Sequence, residues 1–412
     1  MSPSDEIGTA PIEIDLDRAV IALADALDLV GVDEVGHGHR VALMAAGVAR
    51  ELKWGEADRR WILRGALLHD CGVSSTREHR ALVNEIDWSD AHAHCERGHA
   101  YLSAVPALAP LAPMILEHHS HWQDLRRRGV AAEVALPANL IFLADRADAV
   151  HFRGIVPGRP VIDVLARYAH THFAPEPFAA FRELAEHEAF WFAQDEPSLR
   201  DYVGELSAGG ERVTLDLGGI KGLAAMFGRI IDAKSPFTER HSVGVARLAR
   251  YLGSRFELPA AKLDLLEIAG QLHDLGKLRV PDEILEKPGP LSADERRMMA
   301  RHAFDTWEIL RHVFGPGPIA RWASFHHEAI SGHGYPFHYE GGQLPLEARI
   351  IAVADVFQAL AQRRPYREPL ASEDIAHMLD GMVFGGRLDR DVVAAVKADL
   401  RAAWREAVAS EV

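Results

Sequence analysis

The chain has few cysteines and no long apolar run. Its 412 residues include two cysteines, Cys71 and Cys95, too few for a scaffold held by disulfides. No stretch approaches 18 uninterrupted apolar residues, so the sequence predicts no transmembrane helix. The first residues lack the basic and apolar regions of a secretory signal. We therefore expect a cytoplasmic protein with no membrane partner.

Basic residues are also in deficit. Lys and Arg total 45 against 60 Asp and Glu, which gives a formal net charge of −15. A general nucleic-acid binder presents a basic face, so this balance argues against a nucleic-acid polymer as partner. An anionic substrate would need local positive charge, supplied by metal ions and a few Lys or Arg side chains.

Strand signals are scarce, whereas helical periodicity is frequent. Val245, Leu248 and Leu252 recur at the i, i+3 and i+7 spacing of a helix that buries one face. The best short strand candidate, 212–217, lies between two glycine pairs and indicates a domain boundary. We predict an all-α protein made of two tandem helical-bundle domains, with bounds 1–207 and 208–412.

Histidine is in excess, with 23 residues, and it recurs with Asp in the second half. The candidate metal ligands there are His241, His273, Asp274, His302, His326, His327 and Asp355. The adjacent pair His273-Asp274 closes a helix predicted over 260–275. Imidazole and carboxylate donors suit Fe, Mn, Ni or Zn rather than Ca or Mg. Helical bundles assemble such sites from different helices, and two metals about 3.5–4 Å apart suit attack on a phosphodiester. Asp274 could bridge them.

The same pattern occurs earlier in the chain. The first-half set is His37, His69, Asp70, His94, His118, His119 and Asp145. His37 to His69 spans 32 positions, as does His241 to His273; His94 to His118 spans 24, as does His302 to His326. These matched spacings indicate an internal repeat of roughly 205 residues, longer than a solenoid repeat. They predict a second metal site in the first domain.

Residues that could hold an anionic substrate follow the ligands of the second half. Lys277 comes three positions after Asp274, and Tyr335 lies in the turn-forming segment Gly334-Tyr335-Pro336. A basic cluster, 363–367, follows the segment that carries Asp355. Lys277 and this cluster could each pair with a phosphate.

Together these motifs resemble the HD-GYP domain, the cyclic-dinucleotide phosphodiesterase branch of the HD superfamily. The segments that carry the resemblance are His273-Asp-Leu-Gly-Lys277, His326-His-Glu328, Gly334-Tyr-Pro336 and Arg364-Pro-Tyr-Arg367. The resemblance implies a helical fold, a centre of Fe or Mn, and hydrolysis of cyclic di-GMP to the linear dinucleotide or GMP. Ni and Zn remain open from the donor set. It also implies that the seven second-half residues are ligands, that Asp274 and Lys277 are catalytic, and that Lys277, Tyr335, Arg364 and Arg367 contact substrate.

Departures from the family pattern leave alternatives. Phe237 occupies the position where trinuclear members place an acidic ligand, so we expect two metals. Gly244 replaces an Arg, and Gln358 replaces an Asp that helps to read guanine. Cyclic GMP-AMP therefore remains an alternative substrate, and a non-catalytic sensor of metal, redox state or dinucleotide remains an alternative function.

The first half resembles the same family in degraded form. Val73 stands where Lys277 stands in the second half, and no Gly-Tyr-Pro segment follows His119. We expect a regulatory domain that binds metal without hydrolysing cyclic dinucleotides; a diiron oxygenase is an alternative. Cys71 and Cys95 directly follow Asp70 and His94 and are interpreted as buried small side chains, with redox sensitivity as the alternative. The oligomeric state is open, a homodimer included.

Overall fold

The computed structural model is almost wholly helical, which confirms the predicted all-α class. It describes residues 12–27, 36–152, 154–195, 198–207, 212–233, 241–362 and 368–408. The chain forms two compact units, of which the first is Asp15–Val213 and the second is built mainly from Thr214–Val412. The predicted boundary at 207 and 208 stays a prediction, since 208–211 lie outside the described residues.

The first unit is a bundle of twelve described helices. They are α1 (Leu16–Leu27), α2 (His37–Glu51), α3 (Glu56–Leu67), α4 (Thr76–Asn84), α5 (His92–Ser103), α6 (Ala112–Glu117), α7 (Trp122–Arg128), α8 (Ala132–Phe152), α9 (Arg159–Ala166), α10 (Pro175–Ala185), α11 (Glu188–Phe192) and α12 (Ser198–Ser207). A short 3-10 helix, Ala109–Leu111, precedes α6.

The second unit has ten helices within its described ranges. They are α13 (Leu217–Ala233), α14 (His241–Arg255), α15 (Ala260–Leu272), α16 (Asp282–Leu285), α17 (Ala293–Val313), α18 (Pro318–Ser324), α19 (Leu346–Ala361), α20 (Ser372–Phe384), α21 (Arg390–Ala398) and α22 (Leu400–Val408). Two 3-10 helices are Leu275–Arg279 and Gly341–Gln343. Strands Ile12–Asp15 and Arg212–Leu215 pair in a two-stranded sheet.

One helix of each unit is buried on nearly all sides. In α8 every residue from 137 to 150 is buried, and in α19 most residues from 347 to 361 are buried. A helix that is apolar all round belongs in the middle of a bundle. Asp145 lies on α8 and Asp355 on α19, so each unit places one candidate carboxylate ligand on its central helix.

The predicted helix over 260–275 ends earlier than expected. Helix α15 stops at Leu272, and His273-Asp274 lies between it and the following 3-10 helix. The cause is a close approach at Gly276, where a Cβ would lie 2.1 Å from the carbonyl oxygen of His302. The Thr306 hydroxyl accepts from the Gly276 N–H at 2.9 Å and donates to the His273 carbonyl at 3.2 Å. The helix end is thereby capped by a side chain of α17.

Within the described ranges, none of the helices combines the length and the apolar character that crossing a bilayer requires.

Candidate metal centres

In the second unit, all seven predicted ligands meet at one place. Six form two groups of three, and the ligand atoms within each group lie within 4.8 Å of one another: His241, His273 and Asp355 in one, His302, His326 and His327 in the other. Asp274 lies between the groups. Its Oδ2 is 3.3 Å from Nε2 of His273, and its Oδ1 is 3.5 Å from Nε2 of His302. This arrangement suits a carboxylate that bridges two cations.

Backbone carbonyls orient three of these imidazoles. The Nδ1 atoms of His273, His302 and His326 donate to carbonyl oxygens three residues earlier, at 2.5–2.8 Å. A carbonyl can only accept, so in the neutral imidazoles each Nε2 has its lone pair facing the site. The Nε2 of His273 and the Oδ1 of Asp274 are buried without a hydrogen-bond partner. A divalent cation in contact with both atoms would satisfy them.

The electrostatics of the second unit's centre also suit a cation. Burial lowers the pKa of His302 to about 4 and that of His326 to about 3, so both imidazoles are neutral at pH 7, the form that binds metals. Burial opposes ionisation of Asp274, but the nearby charges of His273 and Lys277 hold its pKa well below the usual range. The centre therefore combines neutral nitrogen donors at His302 and His326 with an ionised oxygen donor at Asp274. Burial disfavours the charged form of His273, but the carboxylates of Asp274 and Asp355 raise the pKa of this imidazole to about 10, so a cation that binds here must displace its proton.

The first unit repeats this arrangement around Asp70. Its Oδ1 is 3.4 Å from Nε2 of His94, and its Oδ2 is 3.5 Å from Nε2 of His69. The ligand atoms that lie within 4.8 Å of one another again form two groups: His37, His69 and Asp70, and Asp70, His94, His118 and His119. The Nε2 of His69 and the Oδ1 of Asp70 are buried without a hydrogen-bond partner.

The seventh residue of the first-unit set, Asp145, has a competing partner. Its Oδ1 lies 3.5 Å from Nε2 of His37 and its Oδ2 3.7 Å from Nε2 of His119. The same carboxylate also accepts from Arg146, whose Nη2 is 2.8 Å from Oδ2 and whose side chain is 2% exposed. The second unit has Val356 at the matching position. We did not predict the role of Arg146, although an Arg beside Asp145 in the mostly apolar segment 140–150 was a signal that it is buried and paired.

The two centres differ in how their first histidine is held. In the first unit, Nδ1 of His37 donates to Asp148 at 2.7 Å, and Arg40 pairs with the same carboxylate at 2.6 Å. In the second unit, Nδ1 of His241 donates to Oε1 of Gln358 at 2.5 Å. A neutral amide thus replaces a carboxylate paired with arginine.

The residue matching Arg40 is Gly244, and helix α22 occupies the space of the missing side chain. A Cβ on Gly244 would lie 2.4 Å from the carbonyl oxygen of Ala407 and 2.9 Å from Gln358. Gln358 is 3% exposed. The amino acid at this position therefore bears on how a candidate ligand, His241, is held; its effect on base selectivity stays a prediction.

Comparison with known proteins places this chain in a family. Models described as HD domain match residues 35–150 and 225–392. The 3'3'-cGAMP-specific phosphodiesterase 1 of Vibrio cholerae is 35% identical over 391 residues, which cover 92% of this chain and 90% of that protein. The chain belongs to the HD-GYP family of cyclic-dinucleotide phosphodiesterases.

The chain is also similar to a second phosphodiesterase in sequence and to a solved structure in fold. The cyclic di-GMP phosphodiesterase response regulator RpfG of Xanthomonas campestris is 42% identical over 138 residues, 32% of this chain and 35% of that protein. A solved cyclic GMP-AMP-specific phosphodiesterase of V. cholerae superposes with a TM-score of 0.65 at 23% identity, covering 95% of this chain and 98% of that one. The latter likeness supports the fold alone.

The loop that carries the Gly-Tyr-Pro motif of this HD-GYP protein is attached to the second unit's centre. The Tyr335 N–H donates to the carbonyl of His327 at 3.1 Å, and the two rings lie 4.8 Å apart. Buried Glu328 accepts from the N–H groups of Phe337 at 2.7 Å and Tyr339 at 3.1 Å. Lys277 lies nearby, with Nζ 2.5 Å from Oδ2 of Asp274. The first unit has Ser120 at the position matching Glu328.

Some predicted residues fall outside the described part of this HD-GYP chain. Arg364 and Arg367, predicted to contact substrate, are among them, and so is Phe237, on which the expectation of two metals depends. Cys71 and Cys95 are buried and form no disulfide. Burial raises the pKa of both thiols, which favours their interpretation as small buried side chains over reactive thiols.

Proposed function

We propose that the centre of the second unit hydrolyses a cyclic dinucleotide and that 3'3'-cyclic GMP-AMP is its preferred substrate. The observation that carries the proposal is the convergence of two ligand groups on Asp274, with Lys277 and the Tyr335 loop beside them. Similarity along 92% of the chain to a protein named as cGAMP-specific supports that substrate. Cyclic di-GMP is the second candidate, supported by the shorter similarity to RpfG.

The proposed metal ligands divide by group. His241, His273 and Asp355 would hold one cation, and His302, His326 and His327 would hold the other, with Asp274 placed where it could contact both. Two bound cations would polarise the phosphodiester and activate the attacking water. Fe(II) or Mn(II) is the proposed metal, and the donors also satisfy Ni(II) and Zn(II).

Two residues near the centre are proposed to hold the substrate. Lys277 pairs with Asp274 at 2.5 Å and is 22% exposed, so its ammonium group can also reach a phosphate oxygen. Tyr335 presents its ring next to His327, where it can stack on or donate to a bound nucleotide. Arg364 and Arg367 remain proposed phosphate contacts on the strength of the sequence motif.

The first unit is proposed to bind metal and to regulate rather than hydrolyse. It has Val73 in place of Lys277 and Ser120 in place of Glu328. Its Asp145 carboxylate is also paired with the guanidinium of Arg146, which leaves less negative charge to hold a cation. Without a phosphate contact, a substrate would not be held for in-line attack.

The experiment compares the two substrates on purified full-length protein loaded with Fe(II) under anaerobic conditions, or with Mn(II). We expect a larger kcat/KM for 3'3'-cyclic GMP-AMP than for cyclic di-GMP. Asp274→Ala should remove both activities, whereas Asp70→Ala, its counterpart in the first unit, should retain hydrolysis. Failure of the metal-loaded wild type to cleave either nucleotide would contradict the enzymatic proposal; a preference for cyclic di-GMP would contradict the substrate assignment alone.

A further inference from the structure

The first unit contains a cavity of about 690 Å³ that its metal centre does not use. Helices α2, α3, α11 and α12 supply most of the walls, and the described lining includes none of the fourteen candidate metal ligands. Cavities of this size are typical of binding sites for small organic molecules. Helix α2 begins at His37, so a molecule in the cavity would contact a helix that also carries a candidate ligand of the Asp70 centre.

Much of the lining is apolar. Leu63 comes from α3, Leu184 from α10 and Phe190 from α11. A Cβ added to Gly47, on α2, would lie 3.8 Å from Cδ1 of Leu184 and 3.9 Å from Cε2 of Phe190, which are ordinary van der Waals separations. The glycine therefore leaves room in the cavity that a larger side chain would fill.

The charges of the lining favour an anion. Three guanidinium groups, on Arg50, Arg59 and Arg60, face two carboxylates, on Glu56 and Glu205. Arg60 uses its Nη2 to pair with Oε1 of Glu56 at 3.1 Å. Within the part of the chain that the structure describes, Arg50 and Arg59 form no ion pair. Positive charge without a counter-ion thus remains at the cavity.

Polar atoms of the lining are also left without hydrogen bonds. The Nε atoms of Arg59 and Arg60 and the Oε1 of Gln194 are buried and have no partner. Gln194 is 4% exposed, and its Nε2 donates to the carbonyl of Phe190 at 3.1 Å, which fixes the other end of the amide as an unused acceptor. Buried polar groups are normally paired, so unpaired ones at a cavity wall indicate a binding partner.

We propose that this cavity binds a small organic anion, with a carboxylate or phosphate head that pairs with Arg59 and an apolar body that packs against Leu184 and Phe190. A guanidinium group can donate two parallel hydrogen bonds to either head group. A neutral molecule would leave Arg59 without a counter-ion, and inorganic phosphate would leave the apolar wall uncovered. The site is separate from the two centres of the HD-GYP pattern.

The test uses octanoate and octyl phosphate, which share an apolar body and differ in the head group. Binding of each to the full-length protein is measured by isothermal titration calorimetry, and we expect saturable binding of one molecule per chain for at least one of them. The head group that binds more tightly identifies the class of the ligand. Failure of both probes to bind would overturn the proposal.

Matched variants assign the binding to Arg59. Arg59→Gln should weaken it by about tenfold or more, because a charge-assisted pair is lost. Arg182→Gln removes an exposed positive charge from α10 outside the cavity lining, and it should keep the wild-type affinity. Equal affinity in the two variants would show that Arg59 does not hold the anion, and the proposal would fail.

A second variant tests the apolar part of the cavity. Gly47→Leu fills it from α2 and should abolish binding, and leucine is the better helix former, so this variant keeps the test valid if Arg59→Gln does not fold. Circular dichroism checks the fold of each variant. Asp70→Ala removes a candidate ligand of the metal centre and should leave binding unchanged. Loss of binding in Asp70→Ala with retention in Gly47→Leu would place the anion at the metal centre and overturn the proposal.

Discussion

The side-chain oxygen of Gln358, which accepts a hydrogen bond from His241, is expected to set the metal affinity of the second unit. Gln358→Met keeps the length of the side chain but removes the oxygen that lies 2.5 Å from Nδ1 of His241. Gln358 is only 3% exposed, so water cannot replace the lost acceptor. Removing such a partner typically weakens metal binding about 10–100-fold, which corresponds to about 1.4–2.8 kcal/mol.

The assay is reactivation of metal-free enzyme by Mn²⁺, with cyclic dinucleotide hydrolysis as the signal. The midpoint of the activation curve for Gln358→Met should move to about 10–100-fold higher Mn²⁺, while turnover at saturating Mn²⁺ stays near that of the wild type. Asp148→Asn alters the matching acceptor of the first unit and should leave this midpoint unchanged. An unchanged midpoint in Gln358→Met, or an equal shift in Asp148→Asn, would refute the reasoning.

Three further outcomes follow from the centres. Lys277→Ala should lower kcat/KM, because the lost charge-assisted contact raises the activation free energy by about 1.5–3 kcal/mol, and metal content should stay unchanged. Wild-type kinetics would mean that Lys277 does not contact the substrate. His273→Ala should abolish hydrolysis, whereas His69→Ala should lose metal but keep hydrolysis, as metal analysis beside a turnover assay will show; equal loss of activity would mean that the first unit is needed for chemistry. Glu328→Gln leaves one of two N–H groups without its carboxylate acceptor and should raise KM more than it changes metal content; an unaltered KM would show that the loop does not need this anchor.

Periodicity and spacing predicted most of the fold and the location of the ligand candidates. The i, i+3 and i+7 pattern of Val245, Leu248 and Leu252 corresponds to fully buried positions of α14. The matched spacings, 32 and 24 positions, correspond to two clusters built alike. These features are visible in the sequence because helices bury residues at fixed intervals.

Partners far apart in the chain could not be predicted. Gln358 contacts His241 across 117 positions, and Nε2 of His172 lies 3.7 Å from a carboxylate oxygen of Asp87, 85 positions earlier in the sequence. Whether a polar side chain faces a ligand or the solvent depends on how helices pack, which local pattern does not encode. The end of α15 before His273 could not be predicted for the same reason, because it depends on the contact between Gly276 and the distant helix α17.

The Tyr335 N–H donates to the carbonyl of His327, so the proposed nucleotide contact of Tyr335 would be linked to the proposed binding of metal by His327. A cation that fixes the His327 imidazole also fixes that carbonyl, and through it the backbone of the Tyr335 loop. Depletion of the metal would then reduce affinity for the cyclic dinucleotide as well as the rate of its cleavage. A metal-starved protein would neither destroy its substrate nor sequester it, so the free concentration of the nucleotide would follow the supply of the metal.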